Sequence, residues 1–145
     1  MKLHTASETL SFIRELEEKA AQFYEELARR FPENKEDFLS FAKESRKYNK
    51  QIQMAYQSVI SDALEGCFSF DLDPENYTFE SGLPDNAGLA DAANKALAIE
   101  DKIVGCYTLG AEQSGLLLAD VPRNFKIVVR KRNSRLEKLK SLAQG

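Results

Sequence analysis

Four stretches of this 145-residue chain carry apolar residues at three- and four-residue spacing, and every one of these stripes turns polar at its middle. The first reads Leu10, Ile13, Glu17, Ala20, Tyr24, Leu27, Phe31, and the second Phe38, Phe41, Ser45, Tyr48, Ile52, Ala55, Val59. The third reads Ala93, Ala96, Glu100, Ile103, Tyr107, Gly110, and the fourth Phe125, Val128, Arg132, Arg135, Leu139, Leu142. Such spacing lines one face of an α-helix, so the chain must bury four helical faces against one another. A charge on a buried face is costly unless it is paired. The simplest pairing sets Glu17 and Glu100 against Arg132 and Arg135.

Punctuation along the chain predicts where the helices stop. Helix 1 is expected over about 7–31, with Thr5-Ala6-Ser7-Glu8 at capping-box spacing and Pro32 as its end. Helix 2 opens near Asn34, with Asp37 three residues on, and runs to about Leu64, where Gly66 offers a C-cap. Helix 3 is expected from Asp85 or Asn86 to about Leu118, and helix 4 from about Arg123 to Ala143 after the break Asp120-Val121-Pro122. Short 1–2 and 3–4 connections make two antiparallel hairpins. The 2–3 connection, roughly 66–85, is long and holds Phe68, Phe70, Leu72, Tyr77 and Phe79. Alternation of Phe68, Phe70 and Leu72 with Ser69 and Asp71 suggests an extended segment packed across the bundle. The expectation is a single all-α domain over 1–145: a four-helix, up-down bundle with a long crossover, which is the ferritin-like arrangement.

Composition narrows the classes of function. A net charge of −3 gives no global drive toward nucleic acid or anionic membrane. No apolar run approaches the roughly 20 residues that span a bilayer. The start, Met1-Lys2-Leu3-His4, leads into a capped helix and does not read as a signal peptide, so a cytoplasmic location is expected. Cys67 and Cys106 are isolated and read as reduced thiols. His4 is the only histidine, which excludes a site built on several histidines of one chain.

A weak internal repeat relates the two halves. Glu17-x6-Tyr24 matches Glu100-x6-Tyr107, and Ser45-x-x-Tyr48 corresponds to Arg132-x-x-Arg135. The run Leu16-Glu17-Glu18-Lys19-Ala20-Ala21-Gln22-Phe23-Tyr24-Glu25-Glu26-Leu27-Ala28 resembles the first metal-binding helix of the rubrerythrin branch of the ferritin-like superfamily. Ala96-Leu97-Ala98-Ile99-Glu100 with Tyr107 is similar to the third helix of that family. The resemblance implies a dimetal site in which two helices each give one Glu and two give Glu-x-x-His. Carried over, the single glutamates fall on Glu17 and Glu100, and the supporting tyrosines on Tyr24 and Tyr107. The two Glu-x-x-His pairs fall on Ser45 and Tyr48, and on Arg132 and Arg135, so four of the six ligand positions are changed. The site therefore reads as degenerate.

Charge counting makes the change intelligible. Two divalent irons and four carboxylates sum to zero, as do two carboxylates and two arginines. Because an arginine fork binds carboxylates well, Arg132 and Arg135 are expected to fill the vacated metal volume as a buried salt-bridge core. No metal or other cofactor and no catalytic residue is expected. The alternative is a diiron peroxidase or oxygen-reducing oxidoreductase with altered ligands, holding two iron ions between Glu17 and Glu100. The leading expectation is an interaction or accessory protein, a homodimer as single bundles of this family commonly are, with an unidentified protein partner, no nucleic acid and no membrane.

Lesser features read as structure. Tyr24, Tyr48 and Tyr107 are core tyrosines closing a polar network. Glu44 lies one residue off the core register, about 100° around the helix from Ser45. The basic surface of helix 4 (Arg123, Lys126, Arg130, Lys131, Lys138, Lys140) is a solvated face balancing acidic helix 1. Asp71-Leu72-Asp73-Pro74-Glu75 is a loop turn rather than a calcium loop. Gly110, on the third stripe, marks a close helix approach, a bend or a small pocket.

Overall fold

The computed structural model describes residues 6–59, 73–113 and 120–144, with side chains placed for 8–54, 73–112 and 123–144. Among these residues the regular structure is helical: α1 Ala6–Arg30, α2 Lys35–Val59, α3 Leu89–Gln113 and α4 Asp120–Ala143, with 3-10 turns at Pro32–Asn34 and Pro74–Asn76. The four apolar stripes meet in one core. Leu10, Ile13, Leu27, Phe38, Ile52, Ala96, Ile103, Phe125, Val128 and Leu139 are all buried in it. Burial of those faces, rather than helix propensity alone, holds helices of this length together.

Helix α1 packs on α2 and α3 on α4, and the two hairpins meet through α2 against α4 and α1 against α3. Side-chain pairs fix the directions. Residues 17 and 24 of α1 bond to 107 and 100 of α3 respectively, so these helices are antiparallel. Asp37 and Phe41 of α2 meet Lys138 and Arg135 of α4, so that pair is antiparallel too. Each hairpin is up-down, but α2 and α3 run parallel, and the order is up, down, down, up. The 2–3 connection must then return the chain along the length of the bundle.

Residues 73–85 make the final part of this return, on the α1/α3 side. Tyr77 lies against Gly105, Lys102 donates to the Asn76 carbonyl, and Lys19 donates to the Phe79 carbonyl while covering its ring. Arg30 then holds the Leu83 and Pro84 carbonyls at 3.0 and 2.8 Å. Phe79 is buried and Tyr77 partly so. This stretch of the crossover therefore packs on its own bundle. The extended segment expected at Phe68, Phe70 and Leu72, the turn at Asp71, the Gly66 cap and Cys67 lie outside the described residues.

Two boundaries differ from expectation. Helix α3 starts at Leu89 rather than at 85 or 86, because Pro84–Ala87 closes a turn through Ala87 N–H to the Pro84 carbonyl (3.0 Å). Gly88 then caps the helix, its amide donating to the Asp91 carboxylate at 3.1 Å, the backward half of a capping box. Helix α2 starts at Lys35, next to Asn34 as expected, directly after the 3-10 turn at Pro32–Asn34. Helix α4 starts at Asp120, not Arg123, so Pro122 sits inside its first turn. No intrahelical donor is needed there, so proline is tolerated.

Gly110 answers to a close approach. A Cβ built on it would stand 2.9 Å from the Phe125 ring, which is itself wedged edge-on against Tyr107. Alanine would gain about 1 kcal/mol of helix propensity but overpack a locked ring at about 1–3 kcal/mol. Gly110→Ala is therefore expected to lower the urea midpoint at unchanged slope. A midpoint at or above wild type would contradict this packing.

Candidate functional site

The polar middles of the four stripes converge. Glu17, Ser45, Glu100, Arg132 and Arg135 are all buried, together with Tyr24, Tyr48 and Tyr107. Arg132 spans the two acids with its fork, Nη1 donating to Glu100 Oε2 at 2.6 Å and Nη2 to Glu17 Oε1. Arg135 donates from Nη1 to Glu100 Oε1 at 2.9 Å and from Nη2 to the Phe41 carbonyl at 3.2 Å. Tyr24 donates to Glu100 Oε1 at 2.6 Å and Tyr107 to Glu17 Oε2 at 2.5 Å. All four carboxylate oxygens thus accept at least one hydrogen bond from a buried donor. Ser45 Oγ lies 3.2 Å from Arg135 and 3.4 Å from Arg132.

The repeat in the sequence is a two-fold relation in space. Tyr24 of α1 reaches the glutamate of α3, and Tyr107 of α3 reaches the glutamate of α1. The equivalent phenylalanines repeat the pattern, Phe38 stacking beside Tyr24 and Phe125 standing edge-on to Tyr107. Symmetry breaks at the centre, where α4 supplies two arginines and α2 a serine and a tyrosine. The smaller Ser45 leaves room for both guanidinium groups. Their faces lie over aromatic rings, Arg132 near Tyr48 (5.4 Å) and Arg135 near Phe41 (4.8 Å) and Tyr24 (5.3 Å).

Every expected residue is in this cluster, but its partners are unequal. Arg132 serves both acids, whereas Arg135 bonds only to Glu100 among the pair. Tyr48 does not reach either acid. It donates to Glu44 Oε2 at 2.9 Å, and Glu44 Oε1 stands 4.0 Å from Arg135. Glu44 therefore joins the cluster from its solvent edge, with a side chain 41% exposed. Its register placed it off the core, but side-chain length carries its carboxylate back. The spacing Glu44-x3-Tyr48 was the available signal, since residues four apart share a helix face. The Nε atoms of Arg132 and Arg135 find no acceptor among the described residues.

The electrostatics separate the two acids. Burial pushes the Glu17 carboxyl up from 4.5 to about 6, with Glu100 adding repulsion, against the pull of Arg132, Tyr107 and Arg135. Burial acts on Glu100 as well, but Arg132, Arg135 and the Tyr24 hydroxyl outweigh it and hold Glu100 below the ordinary carboxylate value. Burial lifts the Tyr24 and Tyr107 phenols well above theirs, and the Tyr48 phenol to about 12. The Cys106 thiol beside Glu17 is likewise pushed up by burial to about 12, which makes it a poor nucleophile.

A raised folded pKa means that Glu17 favours folding most when protonated, below 4.5, and that this contribution disappears as pH rises through about 6. Its size is at most about 2 kcal/mol, at 1.36 kcal/mol for each pK unit. Stability measured from pH 7 down to 4.5 should therefore rise more in wild type than in Glu17→Gln. Parallel profiles for the two proteins would show that Glu17 does not titrate in this window.

Among the described residues the fold and site together define an all-α bundle of four helices whose centre is a network of buried ion pairs. Among the described residues no helix is long and apolar enough to cross a membrane. Within the same residues no three His, Cys, Asp or Glu side chains gather as metal ligands would. Comparisons with protein-family models, with curated proteins and with solved structures find no match.

Proposed function

We propose that this chain is a metal-free, non-catalytic relative of the rubrerythrin branch of ferritin-like bundles, working as a cytoplasmic interaction or accessory protein and as a homodimer. In this reading Arg132 and Arg135 stand where the family holds a diiron centre. The observation that carries it is the Arg132 fork bridging Glu17 and Glu100, with Arg135 and the two tyrosines taking the remaining carboxylate valence. Helix order also supports the relationship, since one long crossover between two inverted hairpins is the ferritin-like arrangement.

The residues do not fit a dimetal cofactor. Such a centre takes carboxylate and imidazole donors with open valence. Here the equivalent positions of α2 and α4 hold a serine, a tyrosine and two guanidinium cations, which repel a metal ion rather than bind it. The phenols and the thiol nearby are held protonated, so none offers an anionic ligand at neutral pH.

Activity assays test this reading. Protein incubated with iron(II) and a chemical reductant should consume hydrogen peroxide or oxygen no faster than the same iron in buffer. Turnover that requires the protein and is lost in Glu100→Gln would instead identify an oxidoreductase. Sedimentation equilibrium tests the dimer, and a monomer across the micromolar range would remove that part.

A further inference from the structure

The outward face of α2 carries a second feature that the buried core does not use. Leu39, Lys43, Lys47, Lys50 and Met54 follow one another at three- and four-residue spacing, and all five are exposed. They lie opposite the core face formed by Phe38, Phe41, Ser45, Tyr48 and Ile52. Among the described residues Leu39 and Met54 are the exposed large hydrophobics, at 41% and 58%. One stands at each end of the lysine run, about 22 Å apart along the helix at 1.5 Å per residue.

The lysines have no partner among the described residues. Lys43, Lys47 and Lys50 make no ion pair among the described residues, whereas Arg46 on the neighbouring face is held by Glu18 and Glu25. On α4, Lys131 is exposed, and Lys138 is neutralised by Asp37 of α2. A chain with net charge −3 thus concentrates unpaired positive charge on one helix face.

We propose that this face binds an acidic polypeptide segment whose carboxylates meet Lys43, Lys47 and Lys50 and whose apolar side chains cover Leu39 and Met54. The proposal rests on the reading of the chain as an interaction protein and names the chemistry of its partner. Two apolar anchors at the ends of the lysine run favour a peptide over a nucleic acid. A phosphodiester backbone offers nothing to bury Leu39 and Met54, and no aromatic side chain on the stripe could stack a base. Apolar anchors flanked by complementary charge are how an amphipathic segment is recognised.

The test is fluorescence anisotropy with the full chain. One labelled helical peptide carries glutamates along one face and a leucine near each end, spaced about 15 residues apart to match 1.5 Å per residue. A second carries the glutamates alone, and a labelled DNA duplex is the third probe. The first peptide should bind, at least tenfold more weakly in the triple variant Lys43→Glu, Lys47→Glu, Lys50→Glu, and severalfold more weakly in Met54→Ser. Raising salt from about 50 to about 300 mM should weaken it further. These substitutions are on the solvent face, and an unchanged melting temperature checks that the fold is intact.

Absence of peptide binding overturns the proposal. Equal binding of both peptides with no effect of Met54→Ser does so too, and so does preferential binding of DNA. Dilution-dependent self-association abolished by the triple variant would assign the face to a second copy of the chain, which also contradicts it. These outcomes are independent of the metal content of the core. A metal-loaded protein that binds the peptide would refute the metal-free reading and leave this surface standing.

Discussion

Arg132→Ala is expected to lower the unfolding free energy by about 3–5 kcal/mol at neutral pH, the cost of leaving buried charge unpaired. The guanidinium removed is the one donor group shared by both acids, and it is fully buried over Tyr48. Truncation leaves Glu17 with only Tyr107 as donor and Glu100 with Arg135 and Tyr24. Glu17 then favours its neutral form still more strongly. A folded pKa raised further above the unfolded one adds stability that is present at low pH and lost as pH rises. Part of the damage should therefore be relieved by acid, with the variant closest to wild type near pH 4.5, the ordinary value for this carboxyl. Chemical denaturation across pH, on wild type and variant side by side, measures both effects. A variant as stable as wild type at neutral pH would mean that Arg132 is a passenger in the core.

Glu100→Gln should cost a similar amount, about 3–5 kcal/mol, with the opposite response to acid. Glu100 accepts from Arg132, Arg135 and Tyr24, so its loss leaves two buried cations with Glu17 as their one buried carboxylate and the half-exposed Glu44 4.0 Å from Arg135. Arginine cannot discharge by losing its proton. With the repulsion of Glu100 gone, Glu17 is held ionised by both guanidiniums, and its protonation at low pH removes the last buried counter-charge. Stability should then fall as pH falls, where Arg132→Ala gains. Glu17→Gln should be the milder lesion of the two acids, because burial already disfavours its charge, whereas Glu100 is held ionised by both arginines. Equal losses for Glu17→Gln and Glu100→Gln would contradict that asymmetry.

Much of this arrangement is legible in the sequence, for a definite reason. The 3–4 spacing of the stripes fixes which side chains face inward, and a charge on an inward position must find its opposite. Glu17, Glu100, Arg132 and Arg135 therefore announce one another across more than a hundred residues. The repeat of Glu-x6-Tyr likewise anticipates the reciprocal bonds of Tyr24 and Tyr107. What periodicity does not carry is the division of partners. Whether Arg132 takes one acid or both depends on the rotation and height of α4 against α1 and α3, which no local spacing encodes. Glu44 escaped for a related reason, since wheel position describes where a Cβ points and not how far a long side chain reaches back.

Helix ends were legible where a proline or a capping side chain acts alone, and shifted where neighbours compete. The turn closed by Pro84 and Ala87 delays α3, and Gly88 with Asp91 sets its true start. At Asp120 the proline read as a break is a first-turn residue. The parallel course of α2 and α3 follows only from long-range pairs such as Asp37 with Lys138 and Tyr24 with Glu100. Sequence spacing supplied a long connection but not the side of the bundle along which residues 73–85 return.

The central proposal is that guanidinium groups, and not metal ions, fill the polar centre of this bundle. Metal analysis of the chain expressed with added iron, and purified without oxygen or chelators, addresses it directly. The account predicts no metal in stoichiometric amount, in wild type and in Glu17→Gln alike. Two metal ions per chain in wild type, lost on substitution of Glu17 or Glu100, would contradict it.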